Sequence, residues 1–146
     1  MIPRLILVLL LLAGCGQRGN ADDWTIKMDP RLADLAVWAY DCMLDVTGLA
    51  DGNTLPPPNV QGVDAPWGNG IVGTYYHASR AVRVQITRPE SHVKDILLHE
   101  NGHDGDWRLN GKSDDEDYAN WVNDQCRERN MPSIYPAPPI DWDAVE

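Results

Sequence analysis

Two histidines four residues apart, with a glutamate beside the first, constrain this chain most: His99-Glu100-Asn101-Gly102-His103. On an α-helix that spacing puts both imidazoles on one face, one turn apart, so both can serve one tetrahedral ion such as Zn²⁺. The flanks agree with it, because Ile96 shares the face of His99 while Val93, Leu97 and Leu98 supply apolar neighbours. The segment reads as a buried helix from about His92 through His103, with Ser91 as its cap. Glu100, next to the first histidine, projects toward the open position of such a metal. There it has the chemistry of a general base, taking a proton from a zinc-acidified water and passing it to a leaving amine.

The elements around this helix follow from periodicity and punctuation. Asp29-Pro30 offers a helix start, and Leu32, Leu35, Ala36, Ala39, Cys42, Met43 and Val46 continue at helical spacing until Gly48 closes the helix. Leu55-Pro56-Pro57-Pro58-Asn59 excludes helix and marks a loop. Ile71 to Tyr76 and Ala81 to Thr87 are rich in β-branched and aromatic residues and flank His77-Ala78-Ser79-Arg80, the pattern of a β-hairpin. In the second strand Val82, Val84 and Ile86 form a buried face and Arg83, Gln85 and Thr87 a wet one. Asp106 to Asp114 reads as a polar loop, and a last helix spans about Asp115 to Arg129 with Ala119, Val122 and Cys126 on one side. The expected fold is α+β: one small domain over residues 29–130, with the hairpin packed on the helix of the two histidines and a C-terminal helix carrying a further ligand.

The segments outside that domain read as an address and two extensions. Arg4 precedes an eight-residue apolar run, Leu5 to Leu12, far short of the about 20 residues a bilayer demands. It suits the core of a signal peptide, so residues 1–14 are expected to be removed. Leu12-Ala13-Gly14-Cys15 closely resembles the bacterial lipobox, which implies that the Cys15 sulfur is lipidated and becomes the new N-terminus. Gly16 lacks the Asp that holds many such proteins on the inner membrane, so the resemblance implies a bacterial-type envelope and an outer-membrane site facing the periplasm. Residues 15–28 then form a polar tether, and the Pro-rich tail of residues 131–146 forms an extended strap or a disordered end. With Cys15 lipidated, Cys42 and Cys126 remain, either as a disulfide between the first and last helices or as two buried thiols. The formal charge of −10, from 22 acidic against 12 basic residues among 146, argues against nucleic acid as a partner.

A zinc site needs a third protein ligand, and Asp114, Asp115, Glu116 and Asp117 stand together at the start of the last helix. Here the stretch resembles the glutamate-ligand zincins. In that family HExGH is followed by a helix bearing Glu, with Ala three residues later so that the helix can approach the metal. Glu116-Asp117-Tyr118-Ala119-Asn120 is similar to the Glu-x-x-Ala-Asn of ImmA/IrrE-type peptidases, and Asp106 stands where lethal-factor-like peptidases have an Asp after the second histidine. The resemblance covers roughly Gly73 to Val122. It implies a zincin-like fold, a ligand set of His99, His103 and Glu116, and an upstream strand that aligns a peptide substrate. Asp115 is the rival ligand, because Asp115-x-x-Tyr118 resembles the aspartate-ligand zincins. Glu116 is preferred for its longer reach across two helices. Tyr75, Tyr76 and Tyr118 are candidate oxyanion donors or core residues, while His77 and His92 read as loop and cap residues.

The expected activity is therefore that of a membrane-anchored zinc metallopeptidase acting on protein or peptide, with Glu100 as base. The alternative is an envelope lipoprotein that keeps the zincin-like fold for binding, exclusion or scaffolding and catalyses nothing. Glu100 separates the two, since a binder needs no base beside two histidine ligands.

Overall fold

In a computed structural model, residues 26–64, 70–127 and 129 are described. Cys15, the apolar run before it and the tail from Met131 lie outside them. Three helices and a three-stranded sheet make up the described fold, an α+β arrangement in the order α1 (Ala33–Thr47), β1 (Asn59–Val63), β2 (Gly73–Tyr76), β3 (Ala81–Gln85), α2 (Glu90–Asn110) and α3 (Glu116–Arg127). Among the described residues no helix is long and apolar enough to cross a membrane.

The apolar spacing of the first helix acts as expected. Leu35, Ala36, Ala39 and Met43 are buried, and Gly48 ends α1 in the left-handed conformation that glycine adopts without a Cβ penalty. The hairpin is present too, with β2 antiparallel to β3 and Tyr76 opposite Ala81. Its other neighbour is a departure from the sequence reading. The chain after the three prolines forms β1, which pairs parallel to β3 from Asn59 opposite Ala81 to Val63 opposite Gln85. The strand order is β1-β3-β2, so β3 is central. On the face expected to be wet Arg83 and Thr87 are half-buried, and Gln85 is 6% exposed, its amide donating to the Thr87 hydroxyl. The Asp29 carboxylate pins β1 to the start of α1, accepting the Gly62 N–H and three N–H groups of Arg31.

The second correction concerns the end of α2. It starts at Glu90 and continues seven residues beyond His103, taking in much of the expected loop. Polarity suggested a loop, but the polar groups here have partners inside the protein. Asp104, fully buried, accepts two hydrogen bonds from Arg80 and one from the Tyr75 hydroxyl. Arg108 donates to Tyr40 and Asn53, and Asn110 to Asp106. Gly105, a helix-weakening residue in this stretch, lets α1 come close: a Cβ there would stand 3.1 Å from Met43 Sδ. Helix α3 ends at Arg127, two residues before its expected limit.

The apolar core lies between α1, α2, α3 and the sheet, and includes Leu32, Met43, Val60, Val82, Ile86, Leu97 and Val122. Cys42 of α1 and Cys126 of α3 form a disulfide across this core, with Cα atoms 6.0 Å apart. Closing a chain segment of 84 residues, it stabilises the fold by about 4–5 kcal/mol on the loop-entropy scale. It also ties down α3, which carries the candidate third ligand.

Candidate metal centre

Helix α2 presents His99 and His103 one turn apart, and their Nε2 atoms approach to 3.1 Å. Glu116, in the first turn of α3, closes the triangle: its carboxylate oxygens lie 3.0 Å from His99 Nε2 and 3.5 Å from His103 Nε2. Donors at 2.0–2.1 Å from a tetrahedral zinc stand about 3.3–3.4 Å from one another. The separations, 3.1 Å between the rings, 3.0 Å to one Glu116 oxygen and 3.5 Å to the other, lie near that value. One atom from each residue can be chosen within 4.8 Å of the others, so the three can hold a metal. Among the described residues this is the group of three that can hold a metal.

Close helix packing makes the triangle possible. A Cβ on Gly102 would lie 2.6 Å from Ala119 Cα, so α2 and α3 meet backbone to backbone at that crossing. The small pair, Gly102 and Ala119, brings Glu116 within reach of both histidines although its side chain is 69% exposed. Asp115, the rival, faces elsewhere: its Oδ1 accepts the Tyr118 N–H at 2.9 Å and caps α3.

The electrostatics favour a cation. His99 Nδ1 faces Asn120 Oδ1 at 3.0 Å; with that oxygen accepting, Nδ1 carries the hydrogen and Nε2 offers its lone pair to the triangle. Asn120 stands four residues after Glu116, on the same face of α3. Burial, and then the neighbouring His99, push the pKa of His103 down and favour the neutral ring that a metal requires. Its Nδ1 and the Asp106 Oδ2 are both buried without a hydrogen-bond partner. Glu100 is 5% exposed, and burial followed by the Glu116 charge pushes its pKa up to about 8. It lies directly against β2, since a Cβ on Gly73 would stand 2.6 Å from Glu100 Oε1 and collide with Ile96.

These residues open on a cleft of about 570 Å³ lined by Ile71 and Val72, by Gly73 to Tyr75 of β2, and by Asp95, Ser113, Asp114 and Asn123. Four carboxylates, Asp95, Glu100, Asp114 and Glu116, line it, and no Lys or Arg does so among the described residues. Among the described residues β2 pairs with β3, and its residues Gly73, Thr74 and Tyr75 line the cleft.

The remaining candidates stand outside the triangle. The Tyr75 hydroxyl donates to Asp104 at 2.7 Å and is held in the interior. Tyr118 packs against Trp121, with ring centroids 5.6 Å apart. His77 stacks on Trp107 and meets Ser113 Oγ at 3.3 Å, while His92 is exposed in the first turn of α2. Asn120, Gly73 and Asn123 also stand at the site; of these Asn120 is legible in the sequence, as the Asn of Glu-x-x-Ala-Asn, while Gly73 and Asn123 carry no signal there. Comparisons with protein-family models, curated proteins and solved structures return no match to this chain.

Proposed function

We propose that this protein is a zinc-dependent peptidase of the glutamate-ligand zincin type, held in a bacterial-type cell envelope by lipidation of Cys15 and facing the periplasm from the outer membrane. The observation that carries the reading is the triangle of His99, His103 and Glu116, spaced as tetrahedral ligands are, with the buried carboxylate of Glu100 beside it. When bound, a zinc ion supplies Lewis acidity, lowering the pKa of water and polarising a carbonyl.

The chain's own residues account for the rest. An extended peptide can lie along Gly73 to Tyr75 of β2 through main-chain hydrogen bonds, with one of its carbonyls over the triangle. Glu100 takes a proton from the attacking water as the new C–O bond forms. As the C–N bond breaks it passes that proton to the departing nitrogen, so one water and one peptide bond become a carboxylic acid and an amine. The unusually high pKa of Glu100 belongs to a carboxyl with no cation beside it; a positive charge at the triangle favours its ionised form. The hydrogen bond to Asn120 holds His99 in the tautomer that ligation needs.

The test is a pair of measurements on purified protein. Wild type should carry about one Zn²⁺ per chain, and His99→Ala or His103→Ala should lose it, because two ligands do not replace three. Glu100→Gln should keep the zinc, while cleavage of a mixed peptide library falls by at least about 10², the usual scale for a general base. Equal zinc in wild type and the histidine variants would overturn the site, and undiminished cleavage by Glu100→Gln would overturn the mechanism.

A further inference from the structure

The face of α3 that meets α2 carries four residues at helical spacing: Glu116, Ala119, Asn120 and Asn123. The first three serve the triangle, the helix crossing and His99. Asn123 has none of these tasks. It is 8% exposed, lines the cleft, and its Oδ1 is buried without a hydrogen-bond partner. An amide oxygen in that state costs free energy unless something completes it, so it marks a place where a hydrogen-bond donor belongs. Its surroundings say what kind of donor. Ile96 and Ile71 supply apolar wall, Ile71 being 45% exposed. Asp95, one turn before His99, adds a carboxylate at the rim, where Arg127 of α3 reaches across to it at 3.0 Å. Asn123 thus lies between the His99–Asn120 contact on the triangle side and the Asp95–Arg127 ion pair on the outer side.

We infer that Asn123, with Asp95 and Ile96, forms a specificity subsite that takes a lysine-like side chain of the substrate, an aliphatic stem ending in an ammonium group. The inference rests on the peptidase reading and names the substrate class for the same cleft. The stem lies along Ile96 and Ile71, as long cationic side chains do on apolar surface. The ammonium donates to Asn123 Oδ1 and adds a positive charge where the lining is anionic. A carboxylate in the same place sets one acceptor against another, and an apolar end leaves the amide oxygen unpaired.

Binding tests this without turnover. The full chain carrying Glu100→Gln, in detergent and zinc-loaded, is titrated by calorimetry with the blocked tetrapeptide Ala-Ala-Lys-Ala and its norleucine and glutamate counterparts. The lysine peptide should bind about tenfold or more tightly than norleucine, and glutamate more weakly still. Asn123→Leu should erase the difference between lysine and norleucine. Asn123→Asp, which keeps the shape and adds charge, should widen it, and serves if the leucine variant does not fold. Equal binding of lysine and norleucine, a preference for glutamate, or no binding of any peptide at millimolar concentration overturns the subsite. Bound zinc without a lysine preference removes the subsite and leaves the peptidase reading standing. A lysine preference in a chain that binds no zinc does the reverse.

Discussion

Helix α2 carries two polar clusters side by side, and they are built on opposite terms. On one side Asp104 is closed off: Arg80 meets it with two N–H groups at 2.9 Å and Tyr75 with its hydroxyl, while a third guanidinium N–H goes to the Pro56 carbonyl. The Arg80 guanidinium lies over the Tyr40 ring, whose hydroxyl joins Arg108, Asn53 and the Leu55 carbonyl. Each of these donors finds an acceptor, joining α1, the loop after it, the hairpin and α2. On the other side His99, His103 and Glu116 turn lone pairs toward one point, with a second carboxylate nearby and no Lys or Arg in the cleft lining among the described residues. Burial alone does not distinguish the two, since His103 and Asp104 are neighbours in sequence and both buried. Completion does. A polar cluster that pairs each donor with an acceptor holds the fold together, and one whose ligand-type atoms converge is a candidate for a metal.

The strongest blow to the first cluster is Arg80→Ala. It strands the Asp104 carboxylate, which is fully buried, and the loss of one partner from a buried ion pair costs about 3–5 kcal/mol. Denaturant unfolding should show that loss, while the folded fraction still takes up about one zinc per chain. A loss below about 1 kcal/mol would show that the contrast between the clusters is false. Lost zinc in protein that remains folded would mean that they are one device.

A smaller effect, of opposite sign in the two protonation directions, is expected from the triangle in chelator-treated protein. Glu100 has a folded pKa of about 8 against an ordinary 4.5, so between those values the folded state keeps a proton that the unfolded state has lost. Stability therefore falls as pH rises through that window, and the loss is complete above pH 8. His103, with its pKa lowered, works the other way: the unfolded state takes up a proton below about 6.5 that the folded state declines, so stability falls as pH drops through that value. Melting curves across pH 5–9 should show Glu100→Gln free of the alkaline decline and wild type subject to it. Zinc should remove the decline from wild type, because a cation at the triangle offsets the repulsion between Glu100 and Glu116. The same alkaline slope in both proteins would detach it from Glu100.

The same contrast explains how much of the molecule was legible in the sequence. α1, the hairpin and the first half of α2 announce themselves because their apolar spacing is what burial requires. The pair His99 and His103 is legible because both lie on one element at a fixed spacing, and Glu116 because it opens the next helix. The illegible parts depend on partners distant in the chain. β1 holds only Val60 and Val63 around Gln61 and Gly62, too little pattern to stand out, and it becomes a strand by pairing with β3. The stretch from Asp104 to Asn110 looks like a loop until Arg80, Tyr40 and Asn53 answer its charges. The disulfide between Cys42 and Cys126 needed the packing of α1 on α3 to tell it from two buried thiols.

The smallest predicted effect separates two adjacent acids and tests the contrast at its finest. Asp115 and Glu116 both begin α3, but one ends an internal hydrogen bond and the other points into the triangle. Asp115→Ala removes the cap on the Tyr118 N–H, which should cost about 1 kcal/mol of stability and leave zinc in place. Asp115→Asn keeps an acceptor and should cost a few tenths or nothing. Glu116→Gln should do the reverse. Its side chain is 69% exposed, so the metal-free fold should barely change, but a neutral amide replaces the anionic ligand and zinc affinity should fall. Zinc titrations and melts of the three variants read both quantities at once. Were Asp115→Asn to strip the metal while Glu116→Gln retained it, Asp115 would be the ligand, and α3 would have to turn about its axis to present it.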